Sequence, residues 1–447
     1  MPNLALRART PGAVTTEIVE LDGRQVVLAV VDGADRKGAL SSVASDKLAD
    51  AARAARAGKL PFIGVIASSG ADIVEGMSAL HGWGTAAKAL SDCSGVVPTI
   101  LVVDGPAVSG PALLLGIADL VIMTEAAYAF VSGPTMVAEF TGIVMDNAEL
   151  GGAASHARFS GVAAMVAADR DAAMAIVSQL LAFLPQHCDE LPPMWPTDDP
   201  WDRSVPEAGA IMPATATGSY DVRAIISAIV DDGEFIEIRA RWAPNVVIGF
   251  ASIDGQSVGI VADQPIAIAG TLDIPSSQKA ARFVAMCDAF NLPIITLVDT
   301  PGFYPGKDLE WRGMIRHGAQ LVFAYARASV PRVCVVLRKS YGGAYIVMDS
   351  KRMGNDLCLA WPGAELAVMG AKGATEILHR RATPEERVAR EAEYEAKLLN
   401  PYIAAERGYV DGVIDPADTR REIAAALRSH DSKRERFRGR KHDNTPL

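Results

Sequence analysis

Short aliphatic runs recur along the chain at Val26–Val31, Phe62–Ile66, Thr99–Val103, Val246–Phe250, Val258–Ala262, Ile294–Val298 and Val333–Leu337. Each is apolar throughout rather than alternating, as expected of strands buried on both faces of a parallel sheet. Between them lie Ala-rich stretches with apolar positions every three or four residues: Val43–Ala57, Ala79–Leu90, Gln278–Phe290 and Ile315–Ala328. That spacing predicts amphipathic helices. Regular alternation of the two predicts α/β domains with parallel strands. The rhythm breaks over 185–215, where Pro185, Pro192, Pro193, Pro196, Pro200, Pro206 and Pro213 fall around an acidic pair, Asp198-Asp199. Proline has a fixed φ and no N–H, so this segment reads as a linker or irregular crossing. It divides the chain into two expected domains, 1–200 and 215–447. Past residue 380 the pattern changes again. Glu385–Leu398 predicts a charged helix, and Lys433–Arg440 reads as a basic, solvated segment.

The two halves repeat a second pattern. In the first, one strand ends in Ser68-Ser69-Gly70 and the next in Gly105-Pro106-Ala107-Val108-Ser109-Gly110. In the second, the corresponding ends are Asp299-Thr300-Pro301-Gly302 and Tyr341-Gly342-Gly343-Ala344. Each second turn is followed by a similar segment, Ala127–Gly133 or Ala364–Gly370. Two copies of one fold, each with glycine turns at strand ends, account for this. Such turns expose backbone N–H groups. Two amides aimed at one carbonyl oxygen form an oxyanion hole, which lowers the cost of making an enolate from a thioester.

Composition narrows the chemistry. Of 447 residues, 43 are Lys or Arg and 53 are Asp or Glu, a net charge of −10, which disfavours nucleic acid as a partner. Half the chain is apolar, enough for large cores. The apolar stretch Pro111–Met123 is too short to span a bilayer, and the chain reads as soluble. The cysteines Cys93, Cys188, Cys287, Cys334 and Cys358 include no CxxC, so they read as reduced core residues of a cytoplasmic protein. The histidines show no HxxxH or HExxH spacing, and no metal is expected. No P-loop, GxGxxG or GxSxG motif occurs. His317, within Ile315-Arg316-His317-Gly318, reads as a packing or capping residue ahead of an acid or base. Backbone holes without an obvious side-chain base imply that the base arrives with a cofactor or substrate.

Several stretches of the second half, in order, make the chain resemble the carboxyltransferase (β) subunits of biotin-dependent acyl-CoA carboxylases, of the propionyl-CoA/acetyl-CoA carboxylase type. They are Gly270–Asp273, Ala281–Phe283, Cys287–Pro293, Asp299–Phe303, Ile315–Ala319, Tyr341–Tyr345, Ala360–Pro362, Val368–Ala374 and the ending from Arg440. The first half resembles the family more loosely. The resemblance implies two crotonase-like domains, each a ββα superhelix, with coenzyme A on the N-terminal domain of one subunit and biotin on the C-terminal domain of another. It implies transfer of carboxylate from carboxybiotin to the α-carbon of a short-chain acyl-CoA. A homo-oligomer is implied, at least a dimer and usually a hexamer built as a trimer of dimers. No Ala-Met-Lys-Met biotin acceptor and no ATP-binding loop occurs in this chain, so the biotin carboxylase and biotin carrier belong to a partner α-subunit.

By position, the resemblance assigns the amides of Gly343 and Ala344 to the biotin ureido oxygen and those of Ser109 and Gly110 to the thioester oxygen. Freed biotin would take the α-proton. Ser69, Gly70, Ala71, Gly133, Gly302, Tyr341, Gly342 and Ile346 are implied to line the substrate sites. The residue at Ile346 influences acyl choice in this family, isoleucine going with broader acceptance that includes acetyl and aspartate with propionyl. Three departures are expected on the CoA side: Asp72 stands where the family has arginine and would repel a facing phosphate, Ser109-Gly110, with Pro111 following, replaces a Gly-Gly pair, and the N-terminus reads as shorter than in many relatives, without their helical leader. Two other readings remain: an acyl-CoA decarboxylase of the same fold acting on methylmalonyl- or malonyl-CoA, and a non-catalytic partner of an active β-subunit.

Overall fold

The computed structural model describes residues 13–34, 36–215, 217–433 and 444–446. The chain folds as two compact units: residues up to Pro193 with Arg239–Trp242, and Met194–Ile238 with Ala243 onward. The proline-rich segment therefore contributes to both.

In the first unit, β1 (Val14–Leu21) and β2 (Arg24–Val31) form an antiparallel hairpin. The sheet continues in parallel through β3 (Phe62–Ser68), β4 (Thr99–Val108), β5 (Leu120–Thr124) and β7 (Met165–Ala167), while β6 (Tyr128–Phe130) pairs with the far end of β4. Two helices, Ser42–Gly58 and Met77–Ser91, lie against each other. Small residues set their closeness, since a Cβ on Gly82 would come within 2.9 Å of the Ser42 Cα and Ser45 Cβ. Leu48, Ala52, Phe62, Leu101 and Val121 belong to the core of this unit.

The second unit is built on β8 (Phe235–Ile238), β9 (Val246–Ile253), β10 (Gln256–Asp263), β11 (Ile294–Thr300), β12 (Arg332–Tyr341), β13 (Leu357–Ala360) and β15 (Gly412–Val413), with β14 (Glu365–Ala367) on the far end of β12. β8, β9 and β10 pair antiparallel and the others parallel. The helices Ile274–Ala289 and Met314–Arg327 pack together as the first unit's pair does.

The units repeat each other residue by residue. Asp22-Gly23 and Asp254-Gly255 close the hairpins, all four in the left-handed region. This is the two-residue turn that Asp-Gly favours. Lys59 and Asn291 end the equivalent helices with φ of 55° and 59°. Gly38 and Gly270 sit where a Cβ would strike a carbonyl of the neighbouring strand, Ala67 O at 1.8 Å and Asp299 O at 2.5 Å. Register shifts at Ile66/Ser68 in one unit and Val298/Thr300 in the other. The ββα repeat of the crotonase-like fold is thus present twice.

The strands and helices expected from the apolar pattern all form. The pattern does not announce β1, β5, β6, β7, β8, β13, β14 or β15, which are short, polar on one side or at an edge. The expected charged helix runs Pro384–Tyr394, opened by a capping box between Thr383 and Glu386, and passes into a π-turn at Glu395–Leu399. Of the expected basic segment only Lys433 is described, where it pairs with Asp356 at 2.9 Å. The remainder, and the family-like ending at Arg440–His442, lie outside the described residues. No helix among the described residues is long and apolar enough to cross a membrane.

Candidate active site

The irregularity at the end of each parallel pair builds the site. In the first unit β3 and β4 part after Ile66, and Ser68 ties down the turn that follows. Its hydroxyl donates to Gly38 O at 2.7 Å and accepts from Gly70 N–H at 3.1 Å. Leu40 N–H then donates to Gly70 O at 2.8 Å, and Asp72 N–H to Leu40 O at 3.0 Å. Between these two bonds the Ala71 N–H is left unengaged among the described residues, with Ser69 exposed beside it. The next turn comes up against this one, since a Cβ on Gly70 would lie 3.1 Å from the Ser109 Cβ.

The geometry corrects one sequence expectation. Ser109 has φ of 66°, and its N–H donates to Phe130 O at 2.9 Å, extending the β4–β6 pairing. Its amide is therefore not free for a ligand. Gly110 opens a 3₁₀ turn, Gly110–Leu113, and its N–H has no partner among the described residues; Pro111 has no N–H to offer. Trp83 stands over Gly110, so that a Cβ there would come 2.9 Å from the indole ring. The pair of free amides at these strand ends is Ala71 and Gly110. Gly133 lies further along, as the N-cap of helix Pro134–Thr141 against the ring of Phe130.

Asp72 is also corrected. It does not face outward: it is 3% exposed, Arg36 pairs with it at 2.6 Å, and its other oxygen accepts from Val74 N–H at 3.0 Å. The carboxylate is compensated inside the protein, and the half-exposed Arg36 is what reaches the surface.

The second unit repeats the arrangement. Leu272 N–H donates to Gly302 O at 3.1 Å and Tyr304 N–H to Leu272 O at 2.8 Å, leaving Phe303 N–H unengaged among the described residues. Gly342, with φ of 61°, takes the place of Ser109, and Gly343 that of Gly110. A Cβ on Gly343 would lie 3.6 Å from the Phe303 ring. Gly343 is exposed, whereas Ala344 is wholly buried in helix Gly342–Val347. Tyr341 closes β12 and donates its hydroxyl to Glu365; burial, with that carboxylate, pushes its pKa far up.

Gly342, Gly343 and Ile346 line a groove of about 530 Å³ within the second unit. Ile346, 42% exposed, shares its apolar wall with Leu366, Val368 and Leu398. Tyr409, Arg352 and Arg407 reach it from separate loops and a helix end, and no local motif in the sequence announces them. The space and apolar lining fit a bicyclic ring such as biotin's, with glycine backbone in one wall.

A buried polar framework supports the strand ends. Asp299 accepts from Arg338 at 3.0 Å, Tyr220 at 2.8 Å and Lys339 N–H at 3.1 Å. Burial nonetheless raises its pKa, against the pull of Arg338. Just past the groove's helix, Asp349 is wholly buried and pairs with Arg332. Burial raises its carboxyl to about 6, Arg332 opposing. Cys334 and Cys358, distant in sequence, are register partners on β12 and β13, both buried and free. His317 bonds to Gln278 at 3.1 Å, Arg316 at 3.1 Å and Gln320 at 3.3 Å. No cluster of three His, Cys, Asp or Glu suited to a metal occurs among the described residues.

Residues 3–445 match the family model described as the carboxyl transferase domain. The propionyl-CoA carboxylase beta chain of Saccharopolyspora erythraea is 44% identical over 96% of this chain and 82% of its own length. The methylmalonyl-CoA decarboxylase subunit alpha of Veillonella parvula is 40% identical over 98% of this chain and 86% of its own. Among solved structures, the transcarboxylase 12S hexamer with hydrolysed methylmalonyl-coenzyme A bound superposes with a TM-score of 0.95 at 42% identity, covering 97% of this chain and 85% of that one.

Proposed function

Because the chain belongs to the carboxyl transferase family, and is a carboxyltransferase enzyme of the propionyl-CoA carboxylase type, we propose that it moves a carboxyl group between biotin, carried on a partner α-subunit, and the α-carbon of a short-chain acyl-CoA. The observation that carries this reading is the doubled strand end. Among the described residues each unit leaves an amide unengaged after its first turn, Ala71 or Phe303, and another after its second, Gly110 or Gly343.

Ala71 and Gly110 hold the thioester oxygen and stabilise the charge that gathers there as the α-carbon loses its proton. Amides fixed by strand pairing need no reorganisation as that charge develops, and one such donor contributes about 10²–10³ in rate. Phe303 and Gly343 offer the second pair beside the groove, whose Ile346 and Val368 would hold the ureido ring. Biotin supplies the carboxyl group and, once relieved of it, the base. Ile346 presents an alkyl wall without a buried charge, which suits acetyl and propionyl chains. The 12S likeness supports an assembly of six copies, and cysteines outside any disulfide among the described residues suit the cytoplasm.

The test is fixation of labelled bicarbonate into acetyl-, propionyl- and butyryl-CoA, with ATP, with and without a biotinylated α-subunit. Fixation only with the α-subunit, strongest for propionyl- and acetyl-CoA, is the expected outcome. A second reading draws on the Veillonella relative: release of CO2 from methylmalonyl-CoA without any biotin protein, and no fixation with one, would replace the first.

A further inference from the structure

The groove carries a feature that the reading above leaves unused. Its walls are apolar, yet Arg352 and Arg407 both line it and are both exposed. Neither guanidinium forms an ion pair or hydrogen bond with any described residue. Their neighbour Lys351 is different, being neutralised by Asp411 at 2.6 Å. Four other arginines of the unit are matched, Arg203 with Asp199, Arg223 with Glu237, Arg338 with Asp299 and Arg428 with Asp254, whereas Arg380 and Arg381, like the groove pair, form no ion pair among the described residues. What sets Arg352 and Arg407 apart is that both line one apolar groove, in a chain of net charge −10. A charge beside a low-dielectric wall acts more strongly than one in open water. The complementary ligand has an apolar body and one anionic end.

We propose that Arg352 and Arg407 bind the carboxylate that N-carboxylated biotin bears on its ureido ring, so that the groove prefers the loaded ring to the unloaded one. This inference rests on the assignment of the groove to biotin. The unloaded ring is uncharged and has only the apolar wall and backbone amides to hold it. The loaded ring adds one negative charge, which two guanidiniums can pair in bidentate fashion. The groove therefore takes up the donor in preference and lets the spent ring go.

The test is calorimetric binding to the full chain, with two probes. One is uncharged biotin amide. The other is the same amide with a carboxymethyl group on the ureido nitrogen, a stable anion. The wild type is expected to bind the anion about tenfold more tightly, a difference of about 1.4 kcal/mol. The Arg352→Gln/Arg407→Gln variant should lose that preference while binding the uncharged amide within twofold, which also shows that it is folded. The corresponding double lysine variant should restore part of the preference. An unchanged preference in the glutamine variant overturns the inference. So does a variant that weakens only a biotinylated carrier protein and neither small probe, since the arginines would then meet an acidic protein surface. Wild type that binds the amide without preferring the anion removes this inference alone. Wild type that binds neither probe removes the assignment of the groove to biotin as well.

Discussion

Raising the pH from 4 to 7 should cost the second unit stability through one carboxyl group. Asp349 is wholly buried directly after the helix that carries Ile346, and its backbone is left-handed with φ of 56°. Asn355 holds its carbonyl at 2.6 Å and Arg332 its carboxylate. Burial outweighs that cation and lifts the folded pKa from 3.8 to about 6. A raised acid pKa means that the folded state binds the proton more tightly than the unfolded state. No penalty is paid below about pH 4, it grows between 4 and 6, and it is complete above 6. At 1.36 kcal/mol per unit, the full effect is about 3 kcal/mol. Asp349→Asn keeps the shape and an acceptor for Arg332 but removes the titration. Other carboxyl groups change stability over the same range, so the quantity that isolates Asp349 is the difference between variant and wild type. Urea unfolding, followed by fluorescence at half-unit pH steps, should show the variant gaining about 3 kcal/mol relative to wild type between pH 4 and 7. Parallel profiles would refute the reasoning. A relative loss with rising pH would refute it too, because it would mean that the ionised pair with Arg332 is net stabilising.

Four substitutions probe the strand ends and the groove. Ser109→Gly removes a non-glycine residue from the left-handed region and leaves the Phe130 bond intact, so stability should rise by about 1 kcal/mol with turnover within twofold; a tenfold fall in turnover would return Ser109 to the catalytic set. Gly110→Ala pushes a Cβ against Trp83 and displaces a free amide, so kcat should fall about 10²-fold in the carboxylation assay while circular dichroism stays native. Asp72→Ala leaves Arg36 unpaired but exposed, so acyl-CoA KM should stay within twofold of wild type; a marked fall in KM would mean that Asp72 does repel the phosphates. Ile346→Asp should narrow acyl use toward propionyl-CoA, measured as relative kcat/KM over acetyl-, propionyl- and butyryl-CoA, and unchanged ratios would remove Ile346 from substrate choice.

The architecture was legible where local chemistry and tertiary demand agree. Strands such as Ile294–Thr300 are buried along their whole length, and their unbroken apolar runs say so. Glycines were equally visible, because Gly70, Gly302 and Gly342 occupy backbone conformations that few other residues tolerate. Which amides remain free was not legible. Ser109 and Gly110 are adjacent and look equally available, and only the placement of Phe130 O across the sheet distinguishes them. The charge of Asp72 misled for the same reason: its partner Arg36 lies far enough along the chain that nothing local links them. Arg352, Leu398 and Arg407 meet at one groove from three separate segments, a convergence that spacing cannot encode.

Duplication would let the two units hold the different ligands proposed for them on one frame. The features that fix the backbone are kept in both: the Asp-Gly hairpins, the glycine packed on a strand carbonyl, the register shift and the late strand that joins the second turn. Those features place the two free amides. What differs lies above them. At Gly110 the indole of Trp83 stands where a Cβ would project, whereas Gly343 opens onto a groove walled by Ile346 and Val368. Selection on the side chains around each turn can therefore change the ligand without moving the donors, since the donors are held by main-chain pairing and not by the residues that touch the ligand. It follows that exchanges of groove residues should alter KM and acyl preference, whereas exchanges that disturb the turn glycines should act on kcat.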